Sequence, residues 1–177
     1  MLYFKSKNLK SYKHGFFSRI GGISKSFYNS LNCGYSSKDS SKNVEINRKL
    51  ILKNFNLDLK SLVVPNQFHS NKIKIFKINQ LSYKCDGIIN TVPGVALGVL
   101  TADCCPILIG HKSKKLTGVI HAGWRGVYNG IIENFISKVT ELNYIKKDLI
   151  FALGPCIGRN SYEVTKSFKN SFIEKYS

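Results

Sequence analysis

Between residues 95 and 120 the chain carries three near-continuous apolar runs, Val95–Leu100, Ile107–Ile109 and Leu116–Ile120. Short runs that are apolar at consecutive positions predict strands buried on both faces, which need cover above and below. The longest apolar stretch, Val92 to Gly110, is interrupted by Pro93, Asp103 and Pro106. It cannot cross a membrane as one helix, so a soluble protein is expected. The remaining pattern supplies the cover. A helix is predicted from about Asn43 to Asn56, with Ser41 as N-cap and Val44, Leu50, Ile51 and Phe55 facing the core. A longer one is predicted from about Gly126 to Leu142, with Val127, Ile131, Phe135 and Val139 as its stripe and Ile132 and Ile136 widening it. A third runs from about Tyr162 to Lys175. Residues His14–Gly22 read as a short strand running into a glycine turn, short strands are expected at Leu62–Val64 and Asp86–Asn90, Lys72–Ile78 is β-rich, and a last buried strand is expected at Leu149–Leu153. Residues 26–39, rich in Ser, Asn and Gly, read as an extended loop. The class is α+β, with mixed sheets and flanking helices.

The 177 residues predict a single domain spanning 1–177, and 43% hydrophobic with 21% charged positions is ordinary globular composition. The 27 basic against ten acidic residues give a net charge of +17, an electrostatic footprint that could serve a polyanion. Only four of the basic residues are arginine, however, and no basic helix or aromatic–basic interleaving accompanies them. Scattered lysine is usually a solvated face, so the balance tells against nucleic acid. The scarcity makes Arg19, Arg48, Arg125 and Arg159 candidates for sites that need a planar, always-charged fork. Five cysteines, an odd number with no secretory segment before them, point to reduced thiols and a cytoplasmic setting.

Three segments place a His or Cys at a strand end. They are Gln67-Phe68-His69-Ser70, Thr101-Ala102-Asp103-Cys104-Cys105-Pro106 and His121-Ala122-Gly123-Trp124-Arg125-Gly126. Two neutral imidazoles and one thiolate would make a three-ligand zinc site with an open position. Alternatively, His69 is a hydrogen-bonded loop histidine and Cys104 a small buried hydrophobe. The glycines at Gly123 and Gly126, before a helix N-terminus, could leave N–H groups free for an anion, with Arg125 as a clamp on phosphate. The plainer alternative is a structural strand–helix turn with Trp124 as a core plug. Asp103 could orient a ligand histidine, shuttle a proton or merely cap a turn, and Gln67 could bind substrate or tie down its loop. His14 and His111 read as structural.

These residues occur in a familiar order: His14-Gly15-Phe16-Phe17-Ser18-Arg19, Gly21-Gly22-Ile23-Ser24, Ser30-Leu31-Asn32, Asn47-Arg48, Gln67-Phe68-His69, Cys85-Asp86-Gly87, Pro93 through Cys104, His121 through Gly126, Leu153 through Gly158, and Tyr162-Glu163-Val164. From about His14 to Val164 the chain resembles the YfiH/YlmD family, also called the multicopper polyphenol oxidase or laccase-domain family. The resemblance implies a β-sandwich of mixed sheets covered by helices, shared with a bacterial deamidating toxin whose catalytic pair is Cys–His. It implies a metal held by His69, Cys104 and His121, with Cys104 preferred to Cys105 because it directly follows Thr-Ala-Asp. Zinc is the favoured ion and copper the weaker one. The implied activity is phosphorolysis of adenosine, guanosine, inosine and methylthioadenosine, with adenosine deamination, so purine nucleosides and phosphate are the expected partners, and Arg48 and Arg19 are the candidates to hold the phosphate. The same scaffold carries competing labels of polyphenol oxidase and peptidoglycan editing factor, the latter suggesting a Cys or metal hydrolase. A basic nucleic-acid-binding protein or an inactive shortened relative is the non-enzyme reading. Family members continue past Tyr-Glu-Val, so the expected domain lacks the usual C-terminal elements. Cys105 and Cys156 read as incidental, and nothing sets the oligomeric state.

Overall fold

The computed structural model describes residues 1–176. Its elements, in chain order, are β1 (Tyr3–Phe4), β2 (Phe16–Phe17), α1 (Ser41–Lys53), β3 (Leu62–Val63), β4 (Ile73–Ile75), β5 (Gly87–Asn90), β6 (Ala96–Leu97), β7 (Cys105–His111), β8 (Thr117–Ala122), α2 (Trp124–Tyr128), α3 (Ile131–Glu141), β9 (Leu149–Leu153) and α4 (Lys166–Tyr176), with short 3-10 turns between them. Five strands form one mixed sheet in the order β4-β5-β8-β7-β9. The β4–β5 pair is parallel and the other three pairs are antiparallel. Two smaller sheets, β1–β2 and β3–β6, complete the set.

The central strands are apolar at consecutive positions because each face has its own cover. On one face Ile89, Ile107, Ile109 and Ile120 meet Ile131, Phe135 and Val139 of α3. On the other, Ile88 and Val119 pack with Tyr83 and Cys85 and are overlaid by Val63, Leu97 and Val99. The β3–β6 pair thus lies across the second face, which gives the sandwich of mixed sheets with flanking helices expected from the sequence. Phe135 is fully buried, and it reaches the sheet because position 118 is glycine. A Cβ there would stand 2.3 Å from the ring.

Several boundaries differ from expectation for local reasons. The predicted helix over 126–142 is two helices, broken at Asn129-Gly130, where Gly130 adopts φ 80° and ends the first helical run. Its stripe survives in α3. Helix α1 starts at Ser41 with Ser40, not Ser41, at the N-cap position. Its buried face is Val44, Asn47 and Leu52, whereas Leu50, Ile51 and Phe55 are only half-buried. Of the run Val95–Leu100 only Ala96–Leu97 is strand, and all six residues are half-buried, since β6 pairs with β3 alone and its flank faces a cleft. Strand β9 is a sheet edge rather than a buried strand, with Leu153 69% exposed. Helix α4 begins at Lys166 rather than Tyr162 and has no buried residue. Trp124 is no core plug. It is exposed, with the Arg125 guanidinium over its ring and Phe168 at its edge. His14 and His111 are hydrogen-bonded framework residues: the His14 ring accepts from the Ser6 N–H, and the His111 ring contacts Ser113 and the Ile145 carbonyl.

Candidate metal centre

Strand register brings two of the candidate ligands together. In the β7–β8 pair Cys105 faces Ala122 and Pro106 faces His121, so Cys104, one residue before β7, lies beside the end of β8. His69 arrives from the loop after β3. It holds a left-handed backbone, φ 62°, which costs a non-glycine residue about 1–2 kcal/mol. The compensation comes from Asp86, just ahead of β5. Its carboxylate accepts the N–H groups of Phe68 at 3.2 Å, His69 at 3.0 Å and Ser70 at 2.7 Å, and the Ser70 hydroxyl at 2.7 Å. Three successive N–H groups converging on one oxygen pair set the curve of this loop.

The same carboxylate orients the second histidine. His121 is 3% exposed and its Nδ1–H donates to Asp86 Oδ1 at 2.8 Å. That bond fixes the tautomer and leaves Nε2 as the ring's free donor atom. Asp86 is itself fully buried. Burial alone would raise its pKa, but donors from His121, Ser70 and Phe68 outweigh it and hold the carboxyl below its ordinary value. The ligand atoms of His69, Cys104 and His121 all lie within 4.8 Å of one another, and the two rings stand 4.7 Å apart, edge to face. Two imidazoles and a thiol are a donor set that could hold a metal ion. Burial, followed by the charges of Asp103 and Asp86, raises the pKa of Cys104 above the ordinary thiol value.

Gly123 belongs to this packing and not to an anion cradle. A Cβ on it would meet His69 Cδ2 at 2.9 Å and Cys104 Sγ at 3.1 Å, so glycine lets the two ligands approach. The helix it precedes, α2, has five residues, and Arg125 points to Trp124 and lies outside the cleft-lining residues.

A cleft of about 1130 Å³ opens beside the cluster, lined by His69, Cys104 and His121 together with Arg19, Arg48 and Gln67. Each arginine is anchored through Nε to a backbone carbonyl, Arg19 to Asn29 at 2.8 Å and Arg48 to Cys33 at 2.9 Å. The Arg48 guanidinium also lies over Tyr35 at 4.3 Å. Gln67 is engaged at both ends of its amide, donating to the Leu100 carbonyl at 2.7 Å and accepting the Leu100 N–H at 2.8 Å. It ties the loop down. Asp103 lines the cleft in an exposed position, and the carboxylate that orients a ligand histidine is Asp86 instead. Asp86 lies outside the candidates that motif spacing marks, and its one sign in the sequence is a single acidic residue between Cys85 and Gly87, just ahead of β5.

The family model described as multi-copper polyphenol oxidoreductase laccase matches residues 13–177. Purine nucleoside phosphorylase RC0672 of Rickettsia conorii is 34% identical over 154 residues, covering 85% of this chain and 62% of that protein. Purine nucleoside phosphorylase YlmD of Bacillus subtilis is 32% identical over 172 residues, covering 90% and 61%. Among solved structures, YlmD from Geobacillus stearothermophilus superposes with a TM-score of 0.83 at 29% identity, covering 90% of this chain and 63% of that one. The chain therefore spans about 62% of the length of a curated relative it matches.

Proposed function

The chain belongs to the multi-copper polyphenol oxidoreductase laccase family, that of YfiH and YlmD, and from this membership we propose a zinc-dependent purine nucleoside phosphorylase. The substrates are adenosine, guanosine, inosine and methylthioadenosine, and adenosine is also deaminated. The observation that carries the reading is the convergence of His69, Cys104 and His121 on the wall of a cleft that two anchored arginines share.

Zinc bound here would supply Lewis-acid polarisation. Three residues would hold it: His121 through Nε2, Cys104 through its sulfur, and His69 through a ring nitrogen. Arg48 and Arg19 bind and orient the phosphate for attack at the anomeric carbon, each from a side chain whose Nε is already fixed. Asp103, exposed beside Cys104, moves a proton between the cleft and water. Zinc is favoured over a multicopper centre because one His-Cys-His group is grouped among the described residues, and a multicopper centre needs many more ligands. No helix of the described residues is long and apolar enough to cross a membrane.

The test is metal analysis of purified protein together with release of hypoxanthine from inosine, with and without phosphate. About one zinc per chain and phosphate-dependent release support the reading. Intact metal with no phosphate dependence removes the phosphorylase assignment. The Asp86–His121 bond also favours a second reading, in which Cys104 is a nucleophile, His121 its base and Asp86 the orienting acid, acting on cell-wall amino-sugar peptides. The raised Cys104 pKa opposes it. Alkylation that kills activity while metal content is unchanged would reverse the ranking.

A further inference from the structure

Purine nucleosides share a flat ring system and differ in its exocyclic groups. A site that read those groups by hydrogen bonds would reject all but one of them. A site that accepts several needs a surface that recognises the flat ring, and an aromatic side chain is such a surface, because every base presents a π face.

The sheet seats one aromatic ring beside the metal ligands. In the β7–β8 pair Pro106 lies opposite His121, and opposed residues of paired strands face the same side. Continuing the β7–β9 register past Ile107 and Leu153 sets Gly154 opposite Pro106, and the Gly154 N–H donates to the Pro106 carbonyl at 2.8 Å. His121, Pro106 and Gly154 therefore make one row across the end of the sheet, with about 4.7–4.9 Å between neighbouring strands. The Phe16 ring rests on this row. A Cβ on Gly154 would stand 2.3 Å from its Cδ1, 2.5 Å from its Cε1 and 2.8 Å from Pro106 Cγ, so glycine at 154 makes the seat. Phe16 is half-buried and lines the same cleft as His69, Cys104 and His121, and so does Arg19, three residues further along. Its neighbour Phe17 is already engaged, stacked on Tyr3 at 4.8 Å and edge to face with Phe55 at 5.9 Å.

We propose that Phe16 is the platform on which the purine ring of the nucleoside stacks, a specificity-determining residue that rests on the phosphorylase reading and names what holds the base. A phenyl ring has neither donor nor acceptor, so it is indifferent to exocyclic groups. Its removal must therefore cost inosine and guanosine the same factor.

The experiment titrates the zinc-loaded full chain, free of phosphate, with inosine and with guanosine by calorimetry, in the parent, Phe16→Ala, Phe16→Leu and Phe27→Leu. Phe16→Ala should raise both Kd values about 5- to 150-fold and equally. Phe16→Leu fills the seat on Gly154 without a π face and should weaken both nucleosides as well. Phe27→Leu, changed at a ring 95% exposed on the 3-10 turn Ser26–Tyr28, should leave both unaltered. In turnover, KM for inosine should rise in the Phe16 variants while KM for phosphate holds. In the parent, nuclear Overhauser contacts should join inosine H2 or H8 to the Phe16 ring protons, a readout that stands even if a variant fails to fold. Unmoved Kd values in the Phe16 variants, unequal losses for the two nucleosides, or base contacts to Phe27 in place of Phe16 would each overturn the platform while leaving a phosphorylase. A parent that binds no nucleoside would overturn both.

Discussion

Asparagine at position 86 probes loop and ligand at once. In the native site Oδ1 accepts from His69 N and His121 Nδ1, and Oδ2 accepts from the N–H and hydroxyl of Ser70. An asparagine that keeps its oxygen at the Oδ1 position turns an NH2 group toward the Ser70 N–H, where 2.7 Å once separated donor from acceptor. The Ser70 hydroxyl can rotate to accept, but the N–H cannot. One stranded buried donor costs about 1–3 kcal/mol. At roughly 2–4 °C per kcal/mol for a chain of this size, the melting temperature should fall by about 2–12 °C. Loss of the negative charge behind His121 should weaken metal affinity about 10–100-fold. Alanine is a poorer probe: it removes the acceptor of four N–H donors at once, those of Phe68, His69, Ser70 and the His121 ring, and so confounds loop folding with ligand orientation. The assays are thermal circular dichroism, zinc competition against a chromophoric chelator, and ¹⁵N chemical shifts of the His121 ring. In the parent the ring is Nδ1–H, and an asparagine oxygen at the Oδ1 position should keep that tautomer while the negative charge behind it is lost. A variant that melts and binds zinc like the parent would refute the role assigned to Asp86.

Gly123→Ala should crowd His69 and Cys104, at about 1–3 kcal/mol of overpacking, and weaken zinc binding about tenfold while far-UV dichroism is preserved; unchanged affinity would show that the ligands do not need this approach. Asn47, fully buried, accepts from the Ile23 N–H and donates to Ser24, Ser30 and Asn32, so Asn47→Ala should cost about 2–4 kcal/mol in urea unfolding, and a loss within error would mean this loop carries no stability. Hydrogen bonds from Ser24 first, then Asn32, Asn43 and Ser40, hold the Asp39 carboxyl below its ordinary value despite some desolvation. Stability from a lowered carboxyl is present above the unfolded pKa of about 3.9 and is lost as pH falls through the folded value. Acid titration should therefore destabilise the parent more steeply below about pH 4 than Asp39→Asn; equal slopes would dismiss the network.

What could be read from the sequence was whatever depended on neighbours along the chain. Ile107–Ile109 and Leu116–Ile120 announced buried strands because two-sided burial writes itself as consecutive apolar residues. Val95–Leu100 carried the same signature and became a half-buried cleft wall, because its composition says nothing of how many strands will pair with it. The α3 stripe was visible, and the break before it was not: Gly130 is one glycine, and only its φ of 80° turns it from a tolerated helix residue into a stop. The likeness of the ordered motifs pointed to His69, Cys104 and His121 where spacing alone could not, since separations along the chain do not encode a meeting in space. Asp86 escaped because its partners are backbone N–H groups and a histidine nitrogen, and these leave no mark in residue type.

That asymmetry follows from how the site is assembled. The β5–β8 pairing sets Gly87 opposite Ile120, which puts Asp86 level with His121, and the His121 N–H donates to the Asp86 carbonyl at 2.7 Å. The β7–β8 pairing then sets Cys104 beside Gly123. Side chains alternate faces along a strand, so a one-residue slip of β8 would send His121 to the opposite face and carry Val119 and Ile120 away from their separate cores. The core therefore enforces the register, and the register aims the ligand. Only His69 stands outside this arrangement, on a loop whose curvature is held by one carboxylate. Damage to the sheet should accordingly unfold the chain before it deranges the cluster, whereas the milder Asp86→Asn should disturb His69 and metal binding in a chain that remains folded.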